Sequence, residues 1–319
     1  MVGVGGATLG GSGKTPYAIA LARALAQAGQ GTVLVGHACG ASPRRPRIVS
    51  PGDDVREVGD DALVAARALE ACGIDVVVAP TRQAAVAFAA RRGSVLVVDG
   101  LLQTRPERLS RSVLVLDGDL PWGAGKHPPL GDLRARPETL LEAADSVAIL
   151  CDSLEISCPY TFPRPWQIVT SRIAGLRAPD GSRVPLALFE REAFGLLLGV
   201  ARPGRVIRGL ARRGLSPRAL VRIADHVLPT RAELDRAARM ARGERLRAWL
   251  CTPKCSTRLP SEVGGARVLT LDHEVVIPVA GPDWLAVPVP DPGLVAGPGS
   301  LPASRQGTAR GACSRSPPW

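Results

Sequence analysis

Aromatic residues are scarce: four Phe, five Trp and two Tyr make up 3% of 319 residues. A core must therefore be built from Ala, Val and Leu, and a hydrophobic content of 45% is enough to build one. So few rings also argue against gripping single-stranded nucleic acid by base stacking, and no nucleic-acid partner is expected. Lysine is almost missing. Of 40 basic residues only Lys14, Lys126 and Lys254 are lysines. In a chain that uses arginine for nearly every positive charge, a retained lysine is informative, because ammonium and guanidinium differ in geometry and hydration. The seven cysteines form no Cys-x-x-Cys pair. Their odd number and irregular spacing exclude a zinc ribbon or a disulfide framework and point to reduced thiols. No apolar run approaches the ~18 residues of a membrane span. The chain opens directly on a strand and a glycine loop, so no signal peptide is expected.

What is present is an alternation of short apolar runs and helical stretches, over a length that exceeds one ordinary domain. Strands are expected at Val2–Gly6, Thr32–Val35, Ile74–Val78, Val95–Val98, Val113–Leu116 and Val147–Leu150. Helices fall between them at Pro16–Gln27, Asp61–Ala71, Arg82–Arg91 and Pro137–Ala144. Continuously apolar strands in a βα rhythm mean a parallel sheet covered on both faces. A Pro- and Cys-rich stretch at 151–165 reads as a junction, and the rhythm resumes more weakly to about residue 272. The expected architecture is α/β: a P-loop nucleotide-binding domain over 1–155, a smaller α/β domain with an Arg-rich surface over 156–290, and a disordered tail over 291–319. Charge is uneven. Residues 201–250 carry 13 Arg against four acids, out of a net charge of +11 for the whole chain. Such a stretch suits an anionic lipid surface, nucleic acid or a phosphorylated substrate, or is simply a solvated helix surface.

One segment carries the chemistry. Thr8-Leu9-Gly10-Gly11-Ser12-Gly13-Lys14-Thr15 lies between the first strand and the first helix, the context a phosphate-binding loop requires. Gly10, Gly11 and Gly13 let the backbone curl with Ser12, so that successive N–H groups face phosphate oxygens, and the helix N-terminus behind them favours negative charge. Lys14 can reach the β- and γ-phosphates, and the Thr15 hydroxyl can ligate Mg²⁺. The general pattern has Gly where this chain has Thr8. Asp99, at the end of its strand, suits a second Mg²⁺ anchor, or a turn cap.

The loop in its longer form, Val4-Gly5-Gly6-Ala7-Thr8-Leu9-Gly10-Gly11-Ser12-Gly13-Lys14-Thr15-Pro16, resembles that of the tetraacyldisaccharide 4'-kinases of lipid A biosynthesis, in which both Thr8 and Pro16 have counterparts. Glu57-Val58-Gly59-Asp60-Asp61-Ala62-Leu63 is similar to that family's Val-Gly-Asp-Glu-Pro-Leu, and Val98-Asp99-Gly100 to its Asp-Asp-Gly. Gly131-Asp132-Leu133-Arg134 resembles the arginine-closed loop that follows. Ala224-Asp225-His226-Val227 resembles the Asp-His-His segment, and Thr252-Pro253-Lys254-Cys255 resembles Thr-Glu-Lys-Asp with both acids replaced. The family's Ser-Arg-Gly-Tyr-Gly appears as Gly36-His37-Ala38-Cys39-Gly40, and the sequence starts at the P-loop strand, ahead of which the family usually has an anchoring helix: a truncated, mis-started or anchorless chain all fit.

The resemblance implies ATP and Mg²⁺ as cofactors, with Thr8, Gly10, Gly11, Ser12, Gly13, Lys14 and Thr15 holding the nucleotide and Thr15 and Asp99 the metal. It implies Asp60 as the base for the sugar hydroxyl, with His226 and Lys14 completing the catalytic set. Asp60 on its own reads first as a helix N-cap, and only beside the P-loop match does the catalytic reading take precedence. His37, His127 and His273 are read as structural. The implied substrate is a glycolipid, met peripherally at the cytoplasmic face of the inner membrane through the Arg-rich region. The rival readings are another P-loop NTPase or a nucleotide-binding relative without lipid kinase activity. A guanine-reading Asp is missing at Cys255, against a GTPase.

Overall fold

The computed structural model describes residues 1–38, 40–101, 110–152 and 162–277. The boundary expected at 155/156 and the tail expected over 291–319 lie outside the described residues.

Valine-rich runs without polar alternation become strands buried on both faces. The first half contains β1 (Val2–Gly6), β2 (Thr32–Val35), β3 (Arg47–Ile48), β4 (Val76–Val78), β5 (Val95–Asp99), β6 (Arg111–Asp117) and β7 (Ser146–Cys151). They alternate with α1 (Lys14–Gln27), α2 (Val55–Val58), α3 (Asp60–Leu69), α4 (Arg82–Ala89) and α5 (Pro137–Glu142). The second half contains β8 (Trp166–Arg177), β9 (Arg183–Val184), β10 (Phe194–Leu198), β11 (Ala219–Arg222), β12 (Ala248–Cys251), β13 (Glu262–Val263) and β14 (Ala266–Val276), with α6 (Pro203–Ala211), α7 (Arg231–Gly243) and α8 (Pro253–Ser256).

The strands form one sheet in the order β11-β10-β12-β14-β8-β7-β6-β1-β5-β2-β4-β3, with β13 and β9 added beside β14 and β8. It consists of two mainly parallel blocks, with β3, β9 and β13 pairing antiparallel with their partners. β8 pairs antiparallel with β14 and parallel with β7, so these two long strands carry the sheet from one block into the other. The described residues all fall within one compact unit.

Both faces of each block are covered, and the pleat shows it. Leu34 and Val97 face the core under α1 and α3, whereas their neighbours Val33, Val35, Leu96 and Val98 face the core under α4. In the second block Leu196, Leu198 and Leu250 pack on one side, and Leu197, Trp249 and Cys251 on the other. Few rings are needed, because Ala-rich helices such as α1 approach the sheet closely.

The expected elements are present with end shifts of a few residues. Two features depart from the expectation. β8 is a twelve-residue strand where none was read. β14 is an eleven-residue strand that runs to Val276, past residue 272, where the expected rhythm ends. No helix among the described residues is long and apolar enough to cross a membrane.

Candidate active site

In both blocks the side chains of interest sit at the carboxyl ends of parallel strands, where an α/β sheet leaves a crevice. β1 ends at Gly6 and leads through the glycine loop to Lys14, the first residue of α1. Gly11 (φ 74°) and Gly13 (φ 81°) are left-handed, a conformation that side chains with a Cβ resist. Such turns curl backbone N–H groups round an anion. The loop is braced from outside. Arg134 donates through Nε to the Thr8 carbonyl (2.8 Å) and through Nη2 to the Leu9 carbonyl (3.2 Å). The Leu9 N–H donates to the Asp132 carbonyl at 2.8 Å, and the Thr8 hydroxyl to the Gly10 carbonyl at 2.8 Å. Thr8 thus shapes the loop.

Pairing of Val4 with Asp99 across β1 and β5 brings the strand-end carboxylate beside this loop. Thr15 Oγ1 donates to Asp99 Oδ2 at 2.5 Å. Asp99 is 1% exposed, and its Oδ1 is buried without a hydrogen-bond partner. A hydroxyl and a carboxylate with an uncommitted buried oxygen form a hard-oxygen donor set that fits Mg²⁺. Arg82, at the start of α4, donates to the Asp99 backbone carbonyl and lies, with His37, against Gly100. Val98, the other half of the expected acidic pair, packs in the core under α4, on the opposite face from its neighbours.

The second group forms where the other block meets α3. Asp60 opens that helix and is 1% exposed. His226, held at φ 60° after β11, places Nδ1 3.1 Å from Asp60 Oδ1. Such a backbone is uncommon for a residue other than glycine and marks a constrained position. Lys254, in the single turn of α8, sets Nζ 3.0 Å from His226 Nε2, 3.3 Å from Asp225 Oδ1 and 3.7 Å from Asp61 Oδ1. Arg258 Nη2 lies 3.1 Å from Asp60 Oδ2. Asp60, Asp61 and His226 bring ligand-type atoms within 4.8 Å of one another, and Lys254 and Arg258 supply the countercharge there.

Burial pushes the Asp60 carboxyl up, but the His226 hydrogen bond and the charges of Lys254, His226 and Arg258 outweigh it and hold the group below its usual range. Asp61 goes the other way. Burial raises it, Lys254 and Lys14 oppose, and Asp99 and Asp60 repel. Asp61 therefore senses both ends of the site. Lys254 is raised: burial alone would lower it, and Asp61, Asp60 and Asp225 prevail.

One cleft of about 1570 Å³ joins the two groups. The loop from Leu9 to Thr15, Asp61, Asp225, His226 and Lys254 all line it, together with apolar Ile19, Val64, Ala68, Leu176 and Val184, among which Arg23, Arg67, Arg177 and Arg183 are interleaved. Asp60 and Asp99 stand behind this lining and reach it through His226 and Thr15. Of the sequence-expected residues, Lys14, Thr15 and Asp99 come together at one end, and Asp60 and His226 at the other. Sequence reasoning overlooked Asp61, Arg82 and Arg258. Arg258 carried no local signal, since it lies in the turn beyond the end of α8. Among the other histidines, His127 Nδ1 is 2.9 Å from the Leu133 carbonyl and His273 Nε2 is 3.1 Å from Ser171 Oγ.

Part of the arginine-rich stretch is consumed inside the molecule. Arg202 pairs with Asp132 (2.9 Å), Arg205 with Asp117 (3.5 Å), Arg208 with Asp119 (3.0 Å), and Arg212 with Asp119 (3.1 Å) and with Asp152. The last three arginines fall on one face of α6 and its cap, opposite carboxylates at the ends of β6 and β7. In contrast, Arg236, Arg239 and Arg242 of α7 are exposed.

Comparison with known proteins agrees with this geometry. The family model described as tetraacyldisaccharide-1-P 4'-kinase (LpxK) matches residues 1–285. A tetraacyldisaccharide 4'-kinase of Anaeromyxobacter sp. (strain Fw109-5) is 32% identical over 311 residues, covering 90% of this chain and 80% of the relative. That of Anaeromyxobacter sp. (strain K) is 31% identical over 330 residues, covering 96% and 84%. The crystal structure of "apo" form LpxK from Aquifex aeolicus in complex with ATP superposes with a TM-score of 0.63 at 21% identity, over 86% of this chain and 82% of that one, a likeness of fold. With a phosphate loop, a carboxylate–histidine pair and a family match that spans nearly all the described residues, this chain belongs to the tetraacyldisaccharide-1-P 4'-kinase family.

Proposed function

We propose that this protein is an ATP-dependent kinase that phosphorylates the 4'-hydroxyl of a tetraacyldisaccharide 1-phosphate, the lipid A precursor, giving lipid IVA. The observation that carries this reading is the single cleft onto which both the phosphate loop and His226 open, in a chain of this family.

The loop amides from Gly10 to Gly13 and the Lys14 ammonium hold the triphosphate of ATP, with Thr8 and Arg134 keeping the loop in shape. Thr15 and Asp99 hold Mg²⁺, which when bound neutralises charge on the β- and γ-phosphate oxygens. The acceptor hydroxyl lies between the γ-phosphate and His226. Its oxygen forms the new P–O bond as the bond to ADP breaks, and its proton passes to the Asp60–His226 pair. ADP leaves with the electron pair. Such catalysis is mainly positioning and charge neutralisation. The apolar part of the cleft lining offers cover to acyl chains. The membrane-facing part of the arginine-rich region is the outer face of α7, since the α6 arginines are already paired, and anionic headgroups at the cytoplasmic face of the inner membrane are its partner.

The test is a radiolabel transfer assay with ATP, Mg²⁺ and a tetraacyldisaccharide 1-phosphate in detergent. Label enters the lipid with the natural chain and does not with Lys14→Ala. Intact ATP binding without transfer would instead favour a nucleotide-binding relative that has lost the kinase step.

A further inference from the structure

The Asp60–His226 pair does not hold itself. Asp60 Oδ1 accepts from the Asp61 N–H at 2.9 Å and faces His226 Nδ1 at 3.1 Å. That leaves Oδ2, a buried atom with no hydrogen bond, whose neighbours are two cations: Arg258 Nη2 at 3.1 Å and Lys254 Nζ at 3.9 Å. A sealed carboxylate with no countercharge would shed its charge by protonation. The same lysine settles the histidine. An ammonium has only donors, so at 3.0 Å from Lys254 Nζ the His226 Nε2 must be the acceptor. The ring proton then lies on Nδ1, which donates to Asp60. The nitrogen remote from Asp60 is then the unprotonated one, which accepts from Lys254 in this structure and is the form of the ring that can take a proton.

We propose that Lys254 and Arg258 are positioning residues for the kinase reaction: the two cations together keep Asp60 ionised, and Lys254 also fixes His226 as the Nδ1–H tautomer. Their placement follows from local structure. Thr252 caps the short helix α8, its hydroxyl accepting from the Cys255 N–H. Lys254 lies within α8, and Arg258 lies in the turn just after it, where its N–H donates to the Cys255 carbonyl at 3.0 Å. α8 lies directly after β12, so the second block delivers both cations to a carboxylate that belongs to the first. The two lost acids of the motif fit this arrangement. Cys255 Sγ is turned inward, accepting from the Gly199 N–H and the Thr252 hydroxyl at 3.1 Å each. Asp225 and Asp61 serve as the carboxylate partners of Lys254. Arg258 is 8% exposed at its side chain and does not line the cleft, so it acts through Asp60 and not on substrate.

The kinetic arm rests on the kinase reading; a spectroscopic arm does not. Arg258→Met is expected to lower kcat about 100-fold with KM for ATP unchanged, and to move the acid limb of the kcat–pH profile upward. The groups facing Asp60 in that titration are Asp61, Asp225, His226, Lys254 and Arg258. Arg258→Lys should recover most of the rate and return the limb. Long-range ¹H–¹⁵N spectra of the full chain should show His226 protonated at Nδ1, and Lys254→Met should lose that single tautomer. If Arg258→Met fails to fold by circular dichroism, Arg258→Lys and Lys254→Met still decide the matter. An Nε2-protonated His226 in the natural chain, or an acid limb that does not move in Lys254→Met and Arg258→Met, would overturn the proposal. If the natural chain transfers no phosphate to lipid, the kinase reading fails, and the histidine spectra judge the positioning roles by themselves.

Discussion

The two ends of the cleft are built in different ways. At the phosphate end, one stretch of eight residues, Thr8 to Thr15, supplies nearly everything, and Asp99 joins through a neighbouring strand. Its affinity for anions comes mostly from backbone N–H groups and glycine conformations. At the acceptor end, Asp60 and His226 are 166 residues apart and meet only because α3, the turn after β11 and α8 converge. Side-chain charge holds that end together: three acids, a lysine, an arginine and a histidine. A backbone-made site tolerates drift at most of its side chains. A charge-made site is sensitive to each member and to pH, because every group sets the ionisation of its neighbours.

The largest expected effect tests the one side chain the phosphate end does need. Lys14→Ala should reduce kcat/KM by about 10³-fold or more, whereas Ser12→Ala, with the backbone unchanged, should leave most of the activity. A calorimetric titration with ATP, run beside the transfer assay, separates binding from turnover. At the acceptor end His226→Gln and Asp60→Asn should each lower kcat by about 10²- to 10³-fold. Because the two act as one unit, the double variant should be scarcely worse than either single one. Additive losses in that cycle would show that they act separately.

A smaller effect concerns how the second block is held against the first. Asp117 is 2% exposed, and Arg205 is its partner. Arg205→Met leaves that carboxylate uncompensated and should cost about 3 kcal/mol in urea unfolding. Arg239→Met on the exposed face of α7 should change stability by less than about 0.5 kcal/mol. Equal losses would mean that the α6 pairs do not brace the blocks.

A last effect is in the pH dependence of stability. Burial and the Arg205 charge push His273 down to about 4. Its unfolded value is about 6.5, so between the two the unfolded chain binds more protons. Unfolding free energy should therefore fall as pH drops through that window, and His273→Gln should flatten the slope.

Much of the first block was legible. Its strands are continuous apolar runs that need no partner to be recognised, and the glycine loop between the first strand and helix announces itself by local pattern. β8 was not legible. Its sequence, Trp166 to Arg177, mixes Thr, Ser, Arg and Gly, and its burial alternates with its neighbours and not with hydropathy alone. It becomes a strand because β7 and β14 offer hydrogen bonds on both sides. The arginine-rich stretch was legible only as a sum. No count separates Arg205, closed against Asp117, from Arg239, which faces outward, since the partners in all five α6-region pairs lie 60 residues or more away along the chain.

By itself, then, the sequence determined the α/β class, the phosphate loop and the strand-end Asp99, because each depends on neighbours in the chain or on one adjacent strand. It could nominate Asp60 and His226 only through resemblance. Tertiary structure decided that they touch, that Lys254 and Arg258 stand behind them, and that Asp61 lies on the cleft wall while Asp60 does not. Those outcomes follow from burial and from charges brought together across the fold, and Coulomb interactions in a poorly solvated pocket depend on distances that a linear order does not contain.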